Sequence, residues 1–208
     1  MRRGARHLAL AGLTGAVCLI AWSAGPAAGA VDRASLASAW LCVGLFVVVL
    51  SIGPRRVLAG KRPLLNHLPR RDLGIWTAIS ALLHFTLGNV EAMNQGYVRA
   101  ATIGPDGTTA TLRAAAFNWG ASLGTVVALL VLILLLISSN RALEILGQTW
   151  WKRLQRLSYL GFALTIAHGL LFQWLENRAW QWISLLLLSA ALTGGLYWTG
   201  KRRAKQTG

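Results

Sequence analysis

The feature that most constrains the fold is the regular alternation of long apolar runs with short clusters of lysine and arginine. Each run is close to the roughly 20 residues that a helix needs to cross about 30 Å of hydrocarbon. Only a helix satisfies all of its own backbone hydrogen bonds within lipid. The pattern therefore predicts an all-α integral membrane protein, a six-helix transmembrane bundle. The six runs cover residues 8–26, 35–53, 73–90, 118–138, 157–175 and 180–199.

The basic residues lie almost entirely on alternate connections between these runs. All but four of the 21 lysines and arginines precede the first run, fill the second and fourth connections, or follow the last run. By the positive-inside rule, both termini are cytoplasmic, which predicts a multi-pass protein of a bacterial inner membrane with the lipid bilayer as its first partner. The same clustering argues against nucleic acid as the target of the +15 net charge. The four exceptions are Arg33, Arg99, Arg113 and Arg178.

The runs divide the chain into three segments. Residues 1–34 combine a basic start, an apolar run and the small residues Ala28 and Ala30, which fits a cleavable signal peptide as well as a retained signal anchor. The length of the run favours retention as a first span. Residues 35–176 form the expected core, and 177–208 hold the last span and a basic cytoplasmic tail. The connection over 54–72, with its three prolines, is expected to be irregular.

Two of the four histidines lie inside apolar runs, where an ionisable residue is expected to be functional and to have a partner. His84 lies 13 residues beyond Arg71, and His168 lies 12 beyond Arg156. At about 1.5 Å per residue, both lie about 18–20 Å from the basic connections, on helices that run in the same direction. Two imidazoles at one depth on parallel helices match the axial pair of a haem iron. The alternative is packing through interhelical hydrogen bonds.

The other candidate residues have simpler expected roles. His7 and His67 lie in the basic tail and the basic connection, and we expect both to be solvated or to face lipid headgroups. Cys18 and Cys42 form no metal-binding or redox motif and are expected to pack as small apolar residues. The GxxxG pair at Gly120–Gly124 is expected to pack the fourth run against a neighbouring helix.

Three stretches carry a family resemblance: "LSIGPRR" (50–56), "RRDLGIWTAISALLHF" (70–85) and "SSNRALEILGQTWWKRLQRLSYLGFALTIAHGLL" (138–171). They resemble the ferric reductase-like transmembrane domain, and within it they are most similar to the MsrQ-like haem b membrane subunits. The likeness covers roughly residues 36–175. It implies a bundle of ferric reductase-like type in which His84 and His168 are the axial ligands of the iron of a b-type haem.

The chain departs from that family at the inner haem position. MsrQ-like sequences read "W-x-R-L-H-R-L" where this chain reads "WKRLQRL", with Gln155 in place of the histidine. The resemblance therefore implies one outer haem. It also implies that a cytoplasmic-side electron donor, a flavin such as FMN or a quinol, binds near the inner ends of the third and fifth runs. The residues that could bind a flavin phosphate there are Arg70, Arg71, Lys152, Arg153 and Arg156.

The expected function is transmembrane electron transfer by haem b, from a cytoplasmic-side donor to a separate acceptor protein on the outer side. Such a chain would be an oxidoreductase component without catalytic side chains of its own. We expect no dinucleotide-binding segment after the last run, so that any NAD(P)H oxidation would take place on another protein. Two alternatives remain: a non-catalytic membrane subunit that anchors a redox or pigment complex, and a proton-relay or transporter-like helix bundle.

Overall fold

The computed structural model describes residues 3–24, 29–61, 68–94 and 108–206, and every regular element within them is an α-helix. The all-helical prediction is therefore confirmed. A helix covers most of each of the six apolar runs, and one further helix, α5, lies in the fourth connection. The helices are α1 (Arg3–Ala24), α2 (Ala30–Leu58), α3 (Leu68–Asn94), α4 (Thr108–Leu136), α5 (Asn140–Gln155), α6 (Leu157–Leu175) and α7 (Trp180–Gln206).

Four of the described helices are long and apolar enough to cross a membrane. Their outward faces carry large exposed apolar side chains, such as Leu129 at 56% exposure and Leu188 at 66%. Surface of this kind is unfavourable in water and suits lipid, so the chain has the character of a multi-pass membrane protein. The apolar part of α1 is shorter, and α6 carries His168 and Gln173, so the count of six spans stays a prediction. The four spans are Ala30–Leu58, Arg70–Met93, Leu112–Leu136 and Trp180–Gln206.

Helix α2 lies at the centre of the bundle, where it packs against α1, α3 and α7 and touches α6. Its buried side chains, including Phe46 and Leu50, form much of the hydrophobic core. Helix α4 packs against α3 and α6. The C-terminal parts of α2, α4 and α7 meet the N-terminal parts of α3 and α6, together with α5, around one cavity. We call this the basic end of the bundle, since it collects the basic connections.

The connection over 54–72 is helical at both of its ends, so the prediction of an irregular segment was wrong there. Helix α2 continues through Pro54 to Leu58, and α3 begins at Leu68. A Cβ added at Gly200 of α7 would lie only 3.1 Å from Cα of Pro54. This close packing supports the helix past a residue that cannot donate a backbone hydrogen bond, as happens in membrane helices. Residues 62–67 lie outside the described part of the chain.

Helix α5 is an amphipathic helix at the basic end, and none of its residues is buried. The Ser139 side chain caps it by accepting a hydrogen bond from the Ala142 amide at 2.9 Å. Trp151 ties it to the end of α4, because its Nε1 donates to the Ile137 carbonyl at 2.9 Å. An amphipathic helix with basic residues on its polar face is typical of the membrane interface. The charge pattern predicted the fourth connection, but it did not predict a helix within it.

Candidate functional site

Both histidines of the apolar runs line a single cavity of about 230 Å³ between α2, α3, α4 and α6, which we call the histidine cavity. The ring centroids of His84 and His168 lie 6.0 Å apart, with the ring planes at 73° to each other. Residues at different levels of the bundle could not bring their rings so close together. The prediction that the two imidazoles share one depth is therefore confirmed.

Each imidazole is fixed by a hydrogen bond to a main-chain carbonyl. Nδ1 of His84 lies 2.9 Å from the carbonyl oxygen of Ser35, and Nδ1 of His168 lies 2.8 Å from that of Gly120. A carbonyl can only accept, so each Nδ1 donates its proton and each Nε2 carries the lone pair. Metal-binding histidines are held in this way, with the second ring nitrogen donating to a backbone carbonyl or a carboxylate.

Two glycines of α4 make room for the α6 side chains. A Cβ added at Gly124 would lie 2.9 Å from Cε1 of His168, and one added at Gly120 would lie 2.7 Å from the Phe172 ring. Real Cβ atoms do not tolerate such distances, so these positions admit the rings only because they are glycine. The predicted packing of Gly120–Gly124 against a neighbouring helix is confirmed, and that helix is α6.

The residues of the histidine cavity fit a haem iron with two axial imidazoles. Two metal–nitrogen bonds of about 2 Å, together with the distance from each Nε2 to its ring centre, come close to the 6.0 Å centroid separation. Within the described residues, no group of three or more His, Cys, Asp or Glu side chains could hold a metal ion by itself. Two imidazoles would supply two ligands to an iron whose remaining ligands come from a macrocycle. The cavity wall offers small and aromatic side chains, among them Ala81, Phe85, Gly88, Phe117, Ala121 and Phe172.

The end of the histidine cavity that lies away from the basic end is polar. Arg178, in the connection between α6 and α7, pairs with Glu176 and lies 3.6 Å from Asp32. Burial raises the pKa of the Glu176 carboxyl above its usual range, against the opposing effect of the Arg178 guanidinium. Trp40 packs on Trp182 nearby, with ring centroids 5.1 Å apart. Arg178 was not assigned to the site from the sequence. It is one of the four basic residues that lie outside the basic connections, and this exception could have indicated a role.

A second cavity, of about 1210 Å³, lies at the basic end, and we call it the basic cavity. Gln155 lines it, at the position where the resemblance implies that an inner haem ligand is missing, and no described histidine lines it. Arg153, one of the predicted flavin-binding residues, does not line it, because its guanidinium lies over the Trp150 ring at 5.0 Å. Lys201 is a lining residue that sequence reasoning assigned only to the tail. The cations that line this cavity are Arg70, Arg71, Lys152, Arg156 and Lys201.

One layer of apolar side chains separates the two cavities. Val43 lines the histidine cavity, whereas Phe46, three residues further along α2, lines the basic cavity. On α3, Ala81 lines the histidine cavity and Ala78 lines the basic cavity. Three residues of helix span about 4.5 Å, and all four side chains belong to the hydrophobic core. The two cavities therefore approach within about one helical turn across a dry layer.

His7, which was expected to be solvated or to face lipid headgroups, keeps about a third of its side chain exposed (33%) but also contacts two polar side chains of α3. Its Nε2 lies 3.6 Å from Oδ1 of Asp72, and its Nδ1 accepts a hydrogen bond from Trp76 Nε1 at 3.2 Å. Asp72 is fully buried near the start of α3, where a carboxylate needs polar partners. The contact arises because α1 packs against α3, which the local sequence around His7 does not reveal. His67 lies outside the described residues.

No protein-family model, curated protein or solved structure matches this chain. The case for a function rests on the geometry of the two cavities.

Proposed function

We propose that this chain is a transmembrane haem b electron-transfer protein, a six-span bundle of ferric reductase-like type and an oxidoreductase component. The observation that carries the proposal is the histidine pair. His84 and His168 meet in one cavity with both Nδ1 atoms bonded to carbonyls, which leaves the lone pair of each ring on Nε2, the nitrogen that would bind a metal. A b-type haem bound there would supply one-electron chemistry, with a reduction potential set by the two imidazoles and by burial.

The basic cavity is the proposed site of the electron donor, FMN or a quinol. Arg70, Arg71 and Arg156 bring positive charge to one cavity, as recognition of a flavin phosphate would require. The thin apolar layer between the cavities favours transfer from the donor site to the histidine pair. With both termini in the cytoplasm of a bacterium, electrons would leave at the opposite end, to a separate acceptor protein.

The proton-relay alternative is less well supported by the hydrogen bonds. A relay needs imidazoles that take a proton on one nitrogen and release it from the other. In both histidines Nδ1 donates to a carbonyl, which cannot pass on a proton. An anchoring subunit that holds haem without turnover would share the same site, and copurification of donor and acceptor proteins would separate that reading from electron transfer.

Absorption spectroscopy of the purified protein tests the proposal. We expect dithionite-reduced b-type bands and about one haem per chain in a pyridine haemochrome assay, since one cavity lined by the described residues holds a histidine pair. His84→Ala and His168→Ala should lose these bands. His7→Ala is the matched control and should keep them, because His7 contacts Asp72 and Trp76 instead.

Each alternative predicts a different result. Histidines that only pack would cost on the order of 1 kcal/mol of stability when removed and would carry no chromophore. Wild-type protein without haem would rule out the proposed function. Two haems per chain would show that the basic cavity has a ligand set other than the one inferred from Gln155. Under the proposal, Gln155→His could restore part of an inner site.

A further inference from the structure

Three side chains at the polar end of the histidine cavity each have a buried atom without a hydrogen-bond partner in the described residues. These atoms are Trp40 Nε1, Gln173 Oε1 and Arg178 Nη1, and all three residues line the cavity. Gln173 is only 6% exposed, and the Arg178 side chain is 10% exposed. Buried polar groups are normally paired, because leaving them unpaired is costly. Three such atoms around one cavity therefore point to a ligand.

The chemistry of these atoms selects an anionic acceptor. Indole and guanidinium nitrogens can only donate, and the Gln173 amide donates as well when its oxygen and nitrogen are exchanged. The other nitrogens of Arg178 are engaged, since Nε bonds Glu176 and Nη2 lies 3.6 Å from Asp32. Nη1 is thus the nitrogen that remains for a ligand. An arginine donor and a planar carboxylate form one of the stronger charge-assisted hydrogen bonds.

Nearby acids limit how much negative charge the site accepts. Asp32, Glu91 and Glu176 also line this end of the cavity, and Asp32 and Glu91 both disfavour the charged form of Glu176. Burial acts in the same direction on Glu176, and it outweighs the effect of Arg178. A more protonated Glu176 opposes an anion less. The site therefore suits one carboxylate rather than a multiply charged phosphate.

We infer that Trp40, Gln173 and Arg178 bind a carboxylate group carried by the ligand of the histidine cavity. The inference rests on the proposed function, under which that carboxylate is a haem propionate. A small free carboxylic acid has the same chemistry and is the competing source. The three residues would then set the orientation of the haem in the cavity, while His84 and His168 hold its iron.

Binding of haem and of haem dimethyl ester to haem-free protein tests the inference, followed by absorption. The ester keeps the iron and the macrocycle but neutralises both propionates. We expect wild type to bind haem about tenfold more tightly than the ester, as the loss of one charge-assisted hydrogen bond implies. Trp40→Phe keeps an aromatic ring against Trp182 and removes only the N–H, and it should bring the ratio towards one. Arg178→Lys should do the same, and Trp119→Phe, on a side chain 69% exposed, should not.

The outcomes separate this inference from the proposed function. Equal binding of haem and ester to wild type, or a ratio that Trp40→Phe leaves unchanged, would overturn the propionate assignment. Trp40→Phe decides the matter even if Arg178→Lys fails to fold. If wild type binds neither compound, the proposed function fails, and sodium acetate then replaces haem as the probe. Thermal stabilisation by acetate that is absent in Trp40→Phe would support a carboxylate site, and no such stabilisation would overturn it.

Discussion

The histidine cavity and the basic cavity share helices α2, α3, α4 and α6 but hold their side chains in different ways. The histidine cavity, at about 230 Å³, has two imidazoles fixed by main-chain carbonyls and glycines that leave no spare space around His168. The basic cavity, at about 1210 Å³, is lined by long flexible cations. A tightly held pair of imidazoles suits a resident cofactor, whereas a wide cavity with mobile charges suits a ligand that enters and leaves.

The two cavities also differ in what positions the side chains that line them. Backbone atoms at Ser35 and Gly120 position the histidines, and backbone positions are set by the packing of whole helices. Lys152 and Lys201 approach the basic cavity through flexible side chains, which are ordered only at an entropic cost. Four predictions test this contrast.

The largest expected effect concerns which cavity faces which side of the membrane. We expect a cysteine at Lys61, at the basic end, to react with a membrane-impermeant maleimide only after spheroplasts are permeabilised. A cysteine at Ala179, in the connection between α6 and α7, should react in intact spheroplasts. Both positions are exposed in the structure, and unsubstituted protein controls for Cys18 and Cys42. Labelling of Lys61→Cys in intact spheroplasts would reverse the proposed direction of electron flow.

The second prediction concerns the ligand of the basic cavity. Arg156→Gln should slow haem reduction by reduced FMN about tenfold, through loss of one charge-assisted contact, and should leave the haem spectrum unchanged. Arg153→Gln is the matched control, since Arg153 lies over Trp150 and does not line the cavity. Duroquinol carries no phosphate, so its rate should change little. Equal rates with reduced FMN in both variants and wild type would argue against a phosphate site at Arg156.

The third prediction compares one glycine from each cavity. Gly124→Ala places a Cβ 2.9 Å from the His168 ring and should cost about 1–3 kcal/mol of stability, with reduced haem content, because the core is overpacked. A Cβ at Gly194, which lines the basic cavity, meets no atom within 4 Å among the described residues. Gly194→Ala should therefore be neutral or stabilising by up to about 1 kcal/mol. Thermal unfolding and haem content would check both, and equal effects would contradict the difference in packing.

The smallest expected effect is a pH dependence at the polar end of the histidine cavity. Burial raises the pKa of Glu176, so its contribution to folding is fully present below the usual glutamate pKa of about 4.3. That contribution is lost as the pH rises through the higher pKa of the folded state. The melting temperature of wild type should fall over this window, and Glu176→Gln should fall less. Exposed Glu144 at the basic end provides the control variant, and identical pH profiles for wild type and Glu176→Gln would contradict the burial effect.

The residues that sequence reasoning found are those whose signal is local. His84 and His168 stand out because they are polar residues inside apolar runs, and their depth follows from counting residues along a helix. Gly120–Gly124 stood out by spacing alone. Trp40 and Gln173 gave no such signal, because one resembles an interfacial aromatic residue and the other a polar residue near a helix end. Their grouping depends on how α2 and α6 meet in space.

The sequence by itself determined the six apolar helices, the end of the bundle at which the cations collect and the common depth of the two histidines. Each of these follows from hydrophobic periodicity and charge along one segment. Only the tertiary structure decided that Ser35 and Gly120 anchor the imidazoles, that His7 meets Asp72 and that Arg153 turns away from the basic cavity. These contacts depend on how each helix is rotated about its axis, and the rotation is fixed by the simultaneous packing of side chains from several helices.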